Sequence, residues 1–455
     1  MPIKSELTDV QVPHVPFHEV IFSEMQRYGN ELALINNDTD EIFTFEDILI
    51  KTKYIANSLL AMRIEKGEPI ILCVPNCPEF VWLFLGISLA GGIVCPLHPS
   101  FSKDEMRWQI MDSTSRFAFV VPHALDNVSA VFNELSIDHR IICVGNRQLS
   151  KGFPILSDLA LTAARCSSTY PEMSPEEDIV FLPYSTGTSG PRKGVAITHF
   201  VLNAMLKTFN NREAYELPNR GEFILSNALF HDTFGRDILF SSLSNGATVV
   251  TFADNVETLA KCIHAVKILS SILKDKNGKI SVLSAAVCVE VIDMISGVEV
   301  GINQQGLILL RGQTVMSPYW RNDKATFEDF QRNGWRNTGD IGFYDKDGNV
   351  FLVDREKQMI KVTPQELESI LLTHPAIAEA AVVPATKVNQ QEIPVAFVVL
   401  KPRIPATPEQ IKAFINDRVM RHKQVDVVVI AMTLPRSPGG KILWRLLREA
   451  ADRYT

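Results

Sequence analysis

Apolar runs and polar punctuation alternate along the first two-thirds of the chain. PIILCVP (69–75), RFAFVVP (116–122), RIICVG (140–145), DIVFLPY (178–184) and ATVVTFA (247–253) are short and almost continuously apolar, the pattern of strands buried on both faces. Between them, Phe45–Met62 and Lys103–Asp112 read as amphipathic helices. Strand and helix in alternation predict an α/β fold, a large N-terminal domain of parallel β-sheets covered by helices. After about residue 280 the pattern turns to strand and turn: VEVIDMISGVEVG, GLILLRG, then DKDGNVFLVDR. Asp347-Gly348 is a hairpin signal there, with Asp345 and Asp354 at the ends of the paired run.

From Glu356 onward a small α+β C-terminal domain is expected. PQELESILLTHP and PEQIKAFINDRVMRH predict helices, AEAAVVPA and IPVAFVVLKP predict strands, and QVDVVVIAMTLP leads to a Gly-rich turn. The expected division is 1–355 and 356–455. One stretch, FVWLFLGISLAGGIVCPL (80–97), is uncharged and long enough to resemble a membrane span. Gly91-Gly92 divides it and Pro96 interrupts its second part, so a short helix, a glycine stop and a buried strand are predicted instead.

Composition narrows the function. The 455 residues are 46% hydrophobic, 21% charged and 8% aromatic, which suits an ordinary globular protein of two or three domains. With 45 Lys and Arg against 52 Asp and Glu, the formal charge of −7 provides no basic field for nucleic acid or an anionic membrane surface. Neither a nucleic-acid partner nor a transmembrane segment is expected. Seven cysteines are scattered, and Cys73 and Cys77 lack the second pair that a zinc site needs, so no protein-bound metal is expected and a reducing compartment is. MPIKSELTDVQVPHVPFHEV lacks the apolar core of a secretory signal and Arg453-Tyr454-Thr455 is not a peroxisomal tripeptide, which predicts a cytoplasmic protein.

The chemistry gathers after DIVFLPY, in Ser185-Thr186-Gly187-Thr188-Ser189-Gly190-Pro191-Arg192-Lys193-Gly194. Small hydroxyl residues and glycines let the backbone bend tightly and turn N–H and O–H donors toward phosphate oxygens, and Lys193 adds a mobile positive charge. This is not the Walker loop, because a glycine follows Lys193. A flexible surface turn is the alternative reading; the strand directly before the loop and the lysine within it weigh toward phosphate binding.

At this point the sequence resembles the adenylate-forming superfamily of acyl- and aryl-CoA synthetases, luciferases and adenylation domains, nearest the branch of 4-coumarate:CoA ligase and its acyl-CoA synthetase relatives. YSTGTSGPRKGVAITH is similar to that family's phosphate loop. LFHDTFG (229–235), GWRNTGDIGFYDKDGNVFLVDREKQMIK (334–361) and LPRSPGGKILWR (434–445) resemble, in the family's order, the pocket-histidine segment, the ribose and hinge region, and the catalytic-lysine loop. The resemblance implies an ATP-dependent ligase that needs Mg2+ and takes a carboxylic acid and CoA as co-substrates. It implies that Ser185, Thr186, Gly187, Thr188, Ser189, Gly190 and Lys193 hold phosphates. Asp340 and Arg355 take the ribose, Lys361 lies near the nucleotide, His231 lines the acid pocket and Lys357 is the hinge of the small domain. Lys441 becomes the catalytic cation, since adenylation joins a carboxylate to the α-phosphate and an ammonium group bridging both offsets their repulsion. The family also includes peroxisomal members.

Two family features are absent. The Tyr-Gly-x-Thr-Glu segment, which shelves the adenine and reaches the α-phosphate and magnesium, has no counterpart; ILSSILKDKNGKISVLSAAVCVEVIDMISG (268–297) joins an upstream piece to a downstream one around Asp275–Gly278. After Lys361, IKVTPQELE runs straight into a helix without the family's CoA-contacting stretch, and Leu307 stands where the family has Glu. Losing the aromatic shelf removes about 1–3 kcal/mol of stacking. These gaps keep a second reading open, a catalytically impaired nucleotide- or acyl-binding paralogue or truncated isoform with a regulatory role. A luciferase-like oxidase or a carrier-protein adenylation domain is a third, separated from the first by whether CoA accepts the acyl group.

Overall fold

A computed structural model describes residues 3–4, 10–159, 169–185, 192–211, 217–225, 228–252, 279–280, 287–293, 297–315, 318–330, 334–346, 350–355, 364–386, 392–418, 424–437 and 442–454. The apolar runs form the interior of the large domain. One sheet has the strand order Ile197–Thr198, Ile179–Phe181, Ile93–Pro96, Pro69–Cys73, Phe117–Val120, Arg140–Cys143. Its pairings are parallel except at the Ile197–Thr198 edge. Every residue of Pro69–Cys73, Ile93–Pro96 and Phe117–Val120 is buried, which is why these strands show no alternation of apolar and polar positions. A second sheet, ordered Phe223–Leu225, Thr248–Thr251, Leu32–Asn36, Glu41–Thr44, is parallel apart from its terminal hairpin.

Helices fill the space around these sheets. The uncharged stretch that resembles a membrane span becomes the helix Pro78–Leu89, which ends beside Gly91 and leads into the Ile93–Pro96 strand. Phe84 on this helix packs against Phe17, Phe80, Phe181 and Phe240 at ring-centroid distances of 5.9, 6.0, 5.5 and 5.0 Å. Burying each such ring contributes about 1.5–3 kcal/mol. That return explains an all-apolar helix inside a globular domain. Among the described residues no helix is long and apolar enough to cross a membrane. The helices Phe45–Ala61 and Lys103–Ser113 both start with capping boxes, Thr44 with Asp47 and Ser102 with Glu105, which satisfy the free N–H groups of their first turns.

Beyond residue 280 the strands Val287–Ile292, Gly306–Gly312, Arg336–Tyr344 and Val350–Arg355 form consecutive antiparallel neighbours, the change of texture seen in the sequence. Leu307 is buried there with Ile292, Leu309 and Trp335 and serves packing. The Asp275–Gly278 junction and the Asp347-Gly348 turn lie outside the described residues.

The C-terminal unit has a three-stranded sheet, Ile377–Thr386, Glu392–Leu400 and Val427–Ile430. Its helices are Pro364–Leu372, Pro408–Asn416 and Trp444–Ala451. Alternate strand residues feed two separate apolar clusters. Val382, Ala396 and Val398 join Leu367, Leu371, Ile411 and Ile415, whereas Ala381, Val395 and Phe397 join Leu434, Leu447 and Ala451. The period of two places helices on both faces of a small sheet.

Candidate functional site

In an open parallel sheet, ligands collect at the carboxyl ends of the strands. Here three neighbouring strands end at that edge, one of them leading to the sequence-predicted loop and the other two to polar side chains beside it. Ile179–Phe181 leads to the Tyr184–Ser185 arm of the Ser/Thr/Gly loop, Ile93–Pro96 to His98, and Pro69–Cys73 to Asn76.

The loop's arms are drawn together. Ser185 pairs with Lys193 and Tyr184 with Gly194 in an antiparallel ribbon. Thr186, Gly187, Thr188, Ser189 and Gly190 lie outside the described residues. The outgoing arm is clamped by a strip of the chain well beyond it. Trp320 N donates to the Gly194 carbonyl at 2.9 Å, and Ala196 N to the Pro318 carbonyl at 3.1 Å. The Lys193 ammonium rests 4.8 Å above the Tyr319 ring, a cation–π seat that leaves its hydrogens open to other acceptors. The Tyr184 hydroxyl donates to Asp112 Oδ2 at 2.7 Å, and burial, reinforced by the nearby Cys95 and Asp112, raises its pKa.

His231 is held by its loop. Asn76 Nδ2 donates to the Ala228 carbonyl at 2.8 Å, and Asn76 Oδ1 accepts from Phe230 N at 2.9 Å. The imidazole, 9% exposed, lies 5.8 Å from the Phe80 ring and 5.4 Å from that of His98. Burial first, and His98 second, lower its pKa to about 3, so the ring is neutral at physiological pH. The Val74 and Leu97 carbonyls favour the charged form only weakly, because neither ring nitrogen makes an aligned hydrogen bond. Two unpaired nitrogens on a buried ring cost free energy unless something polar meets them, a condition that a carboxylic acid or its acyl phosphate fulfils.

The Thr338-Gly339-Asp340 turn is built into a strand. Thr338 Oγ1 donates to the Ile308 carbonyl at 2.8 Å and accepts from Asp340 N at 3.0 Å. Gly339, at φ +68°, supplies the left-handed residue that lets the hydroxyl reach forward to that N–H. Asp340 and Arg355 are register partners, so the two candidate ribose contacts lie opposite each other on adjacent strands of the antiparallel sheet. Lys357, Lys361 and Lys441 lie outside the described residues. Arg436 and Ile442, which flank the segment with Lys441 in the sequence, form an antiparallel bridge.

Sequence reasoning did not single out His98, Glu105, Trp108, Tyr319 or Trp320, all of which border the loop or the histidine. His98 had a readable signal, a polar residue just past a buried parallel strand. The others have none without the fold. For magnesium, no group of three or more acidic, His or Cys side chains among the described residues could hold an ion.

Comparison with known proteins places these features in context. Residues 21–272 match the profile of the AMP-binding enzyme family, and residues 366–441 that of the AMP-binding enzyme C-terminal domain. A 4-coumarate–CoA ligase of Petroselinum crispum is 28% identical over 527 residues, covering 98% of this chain and 96% of the relative. The 4-coumarate–CoA ligase CCL1 of Humulus lupulus is 29% identical with the same coverage. The aligned length exceeds the 455 residues of this chain, so these relatives carry sequence that it lacks. Among solved structures, ATP-bound MatB from Rhodopseudomonas palustris superposes with a TM-score of 0.82 at 18% identity, over 97% of this chain and 100% of that one. The anthranilate CoA ligase AuaEII in complex with anthranoyl-AMP gives 0.81 at 21% identity, over 97% and 98% of the two chains. These likenesses establish a shared fold.

Proposed function

The chain belongs to the AMP-binding enzyme family, and from that premise we propose that it is an ATP-dependent acyl- or aryl-CoA ligase working through an acyl-adenylate. The observation that carries the reading is the line of rings Phe101, His98 and His231, which connects the outgoing loop arm at Arg192 and Lys193 to a buried, neutral imidazole. In this reading a carboxylate oxygen attacks the α-phosphorus of ATP, a new P–O bond forms and pyrophosphate leaves. The CoA thiolate then attacks the acyl carbon, and AMP departs with the bonding pair.

The chain's own residues divide the task. Ser185 to Gly190 and Lys193 hold phosphate oxygens, where N–H, O–H and ammonium donors offset charge that grows in the transition state. Asp340 accepts from the ribose hydroxyls with Arg355 beside it, and Lys361 lies near the nucleotide. His231 meets the acid as a neutral donor. The unit from 356 to 455 turns about Lys357 and brings in Lys441, which lies between the carboxylate and the α-phosphate. Mg2+ would travel with the ATP phosphates.

A specific observation favours a second reading, an impaired nucleotide-binding relative or truncated isoform. The family match stops at residue 272, beside the Asp275–Gly278 junction, and the 4-coumarate–CoA ligase relatives carry sequence that this chain lacks. One experiment separates the two: ATP–pyrophosphate exchange on the full chain with a panel of fatty and aromatic acids. Acid-dependent exchange that Lys441→Ala abolishes supports the ligase. Nucleotide binding without exchange for any acid supports the second reading.

A further inference from the structure

The Lys103–Ser113 helix touches both arms of the phosphate loop through different side chains. Asp112, near its end, accepts from the Tyr184 hydroxyl on the incoming arm. On the outgoing arm, Arg192 directly precedes Lys193 and is held three ways. Its Nη2 donates to Glu105 Oε1 at 2.7 Å, its guanidinium carbon lies 4.2 Å from the centre of the Phe101 ring, and its carbonyl accepts from Trp108 Nε1 at 3.0 Å. The side chain is only 20% exposed. Glu105 uses its other oxygen for the helix itself, Oε2 accepting from Ser102 N at 2.9 Å and from Ser102 Oγ at 3.0 Å. One carboxylate thus ties the helix start to the guanidinium. Phe101 in turn lies 5.5 Å from the His98 ring, which leads to His231.

We infer that Arg192 is a positioning residue, latched by Glu105, Phe101 and Trp108 so that the adjacent Lys193 is presented to phosphate, and that the same contacts couple the phosphate loop to the pocket histidine. The inference rests on the ligase or nucleotide-binding reading of this loop. Arg192 needs no contact with nucleotide for this role. It fixes two rigid points, the guanidinium and the backbone carbonyl, on either side of one Cα, and that sets the direction in which the chain enters Lys193. A misplacement of about 1 Å at a charge-stabilising group is enough to cost binding or rate. The guanidinium suits the role better than an ammonium would, because its planar fork pairs with a carboxylate while its face stacks on a ring.

The test uses the full chain with E105Q, R192A, R192K and the E105Q/R192A double variant. Glutamine at this helix position preserves a capping box, so E105Q removes the ion pair while the helix keeps its start. Two readouts are needed: the ATP dissociation constant by calorimetry, and amide hydrogen exchange over residues 192–196 in nucleotide-free protein. E105Q and R192A are each expected to weaken ATP binding about three- to tenfold. The double variant should be no weaker than R192A, and R192K should fall between R192A and wild type. Exchange over 192–196 should accelerate in each variant while the amides of Pro69–Cys73 stay protected. ATP affinities equal to wild type, or effects that simply multiply in the double variant, overturn the latch. A wild-type chain that binds no ATP overturns the functional reading instead, and the latch then stands or falls on the exchange rates alone.

Discussion

Gly235 is the third residue of the Thr233–Ser244 helix, and there is no room for a side chain there. A β-carbon at this position would lie 2.2 Å from the Leu229 carbonyl oxygen, 2.6 Å from its carbon and 2.8 Å from the Ala228 oxygen. All three atoms are backbone, so no rotamer change relieves the clash. They also belong to the loop that inserts Phe230 and His231, which Asn76 pins from two directions. Gly235→Ala must therefore push that loop away by most of an ångström or tilt the helix. Overpacking of this kind costs about 3 kcal/mol. For a domain of roughly 350 residues, which gains about 2.1 cal/mol/K per residue on unfolding, that lowers the melting temperature by about 4 °C. The displacement falls on His231, so the KM for the acid should rise more than the Kd for ATP. Scanning calorimetry on Gly235→Ala checks the stability, with Gly301→Ala as control, because a β-carbon there meets nothing nearer than 3.5 Å. An unchanged melting temperature for Gly235→Ala would refute the packing argument, and an unchanged acid KM in a destabilised variant would refute the link from loop to histidine.

Asn76→Ala should destabilise by about 2–4 kcal/mol, since it strands the Ala228 carbonyl and the Phe230 amide in a buried place, and urea titration measures it. Arg236 is fully buried, its Nε 2.9 Å from Asp237 Oδ1 and its guanidinium 4.7 Å from the Phe181 ring. Asp237→Asn should therefore cost about 3–5 kcal/mol by leaving that charge uncompensated, whereas R236M/D237N should recover part of the loss in the same titration. Acid should destabilise the protein through its buried histidines. Burial lowers His18 to about 3 and His199 to about 4 from an ordinary 6.5, so the unfolded chain takes up protons first, and stability is lost as pH falls from about 6.5 toward 4. Between pH 7 and pH 5 each such group removes about 2 kcal/mol, and H18Q/H199Q should show a shallower slope in denaturant titrations across that range.

The strands of the large parallel sheet were legible because burial on both faces leaves a continuous apolar signature, as in Pro69–Cys73 and Ile93–Pro96. The Leu32–Asn36 and Glu41–Thr44 hairpin was not, because an exposed Ile42 and a half-buried Phe43 blur the pattern. The Ser/Thr/Gly segment stands out in the sequence because its composition is local: donors, glycines and a lysine within ten positions. The same holds for the Thr-Gly-Asp turn, whose hydroxyl and glycine act on their immediate neighbours.

The surroundings of these local motifs depend on strand order, which no short segment encodes. The Arg192 carbonyl meets Trp108 across 84 positions, its guanidinium meets Glu105 across 87, and Phe230 finds Asn76 across 154. Composition and periodicity settle which segments become strands and helices, because those choices are made by each residue's own backbone and its near neighbours. The neutral state of His231, the seat of Lys193 on Tyr319 and the grip on Arg192 come from folding alone, since burial and charge proximity act through space and arise only once separate strands have been laid side by side.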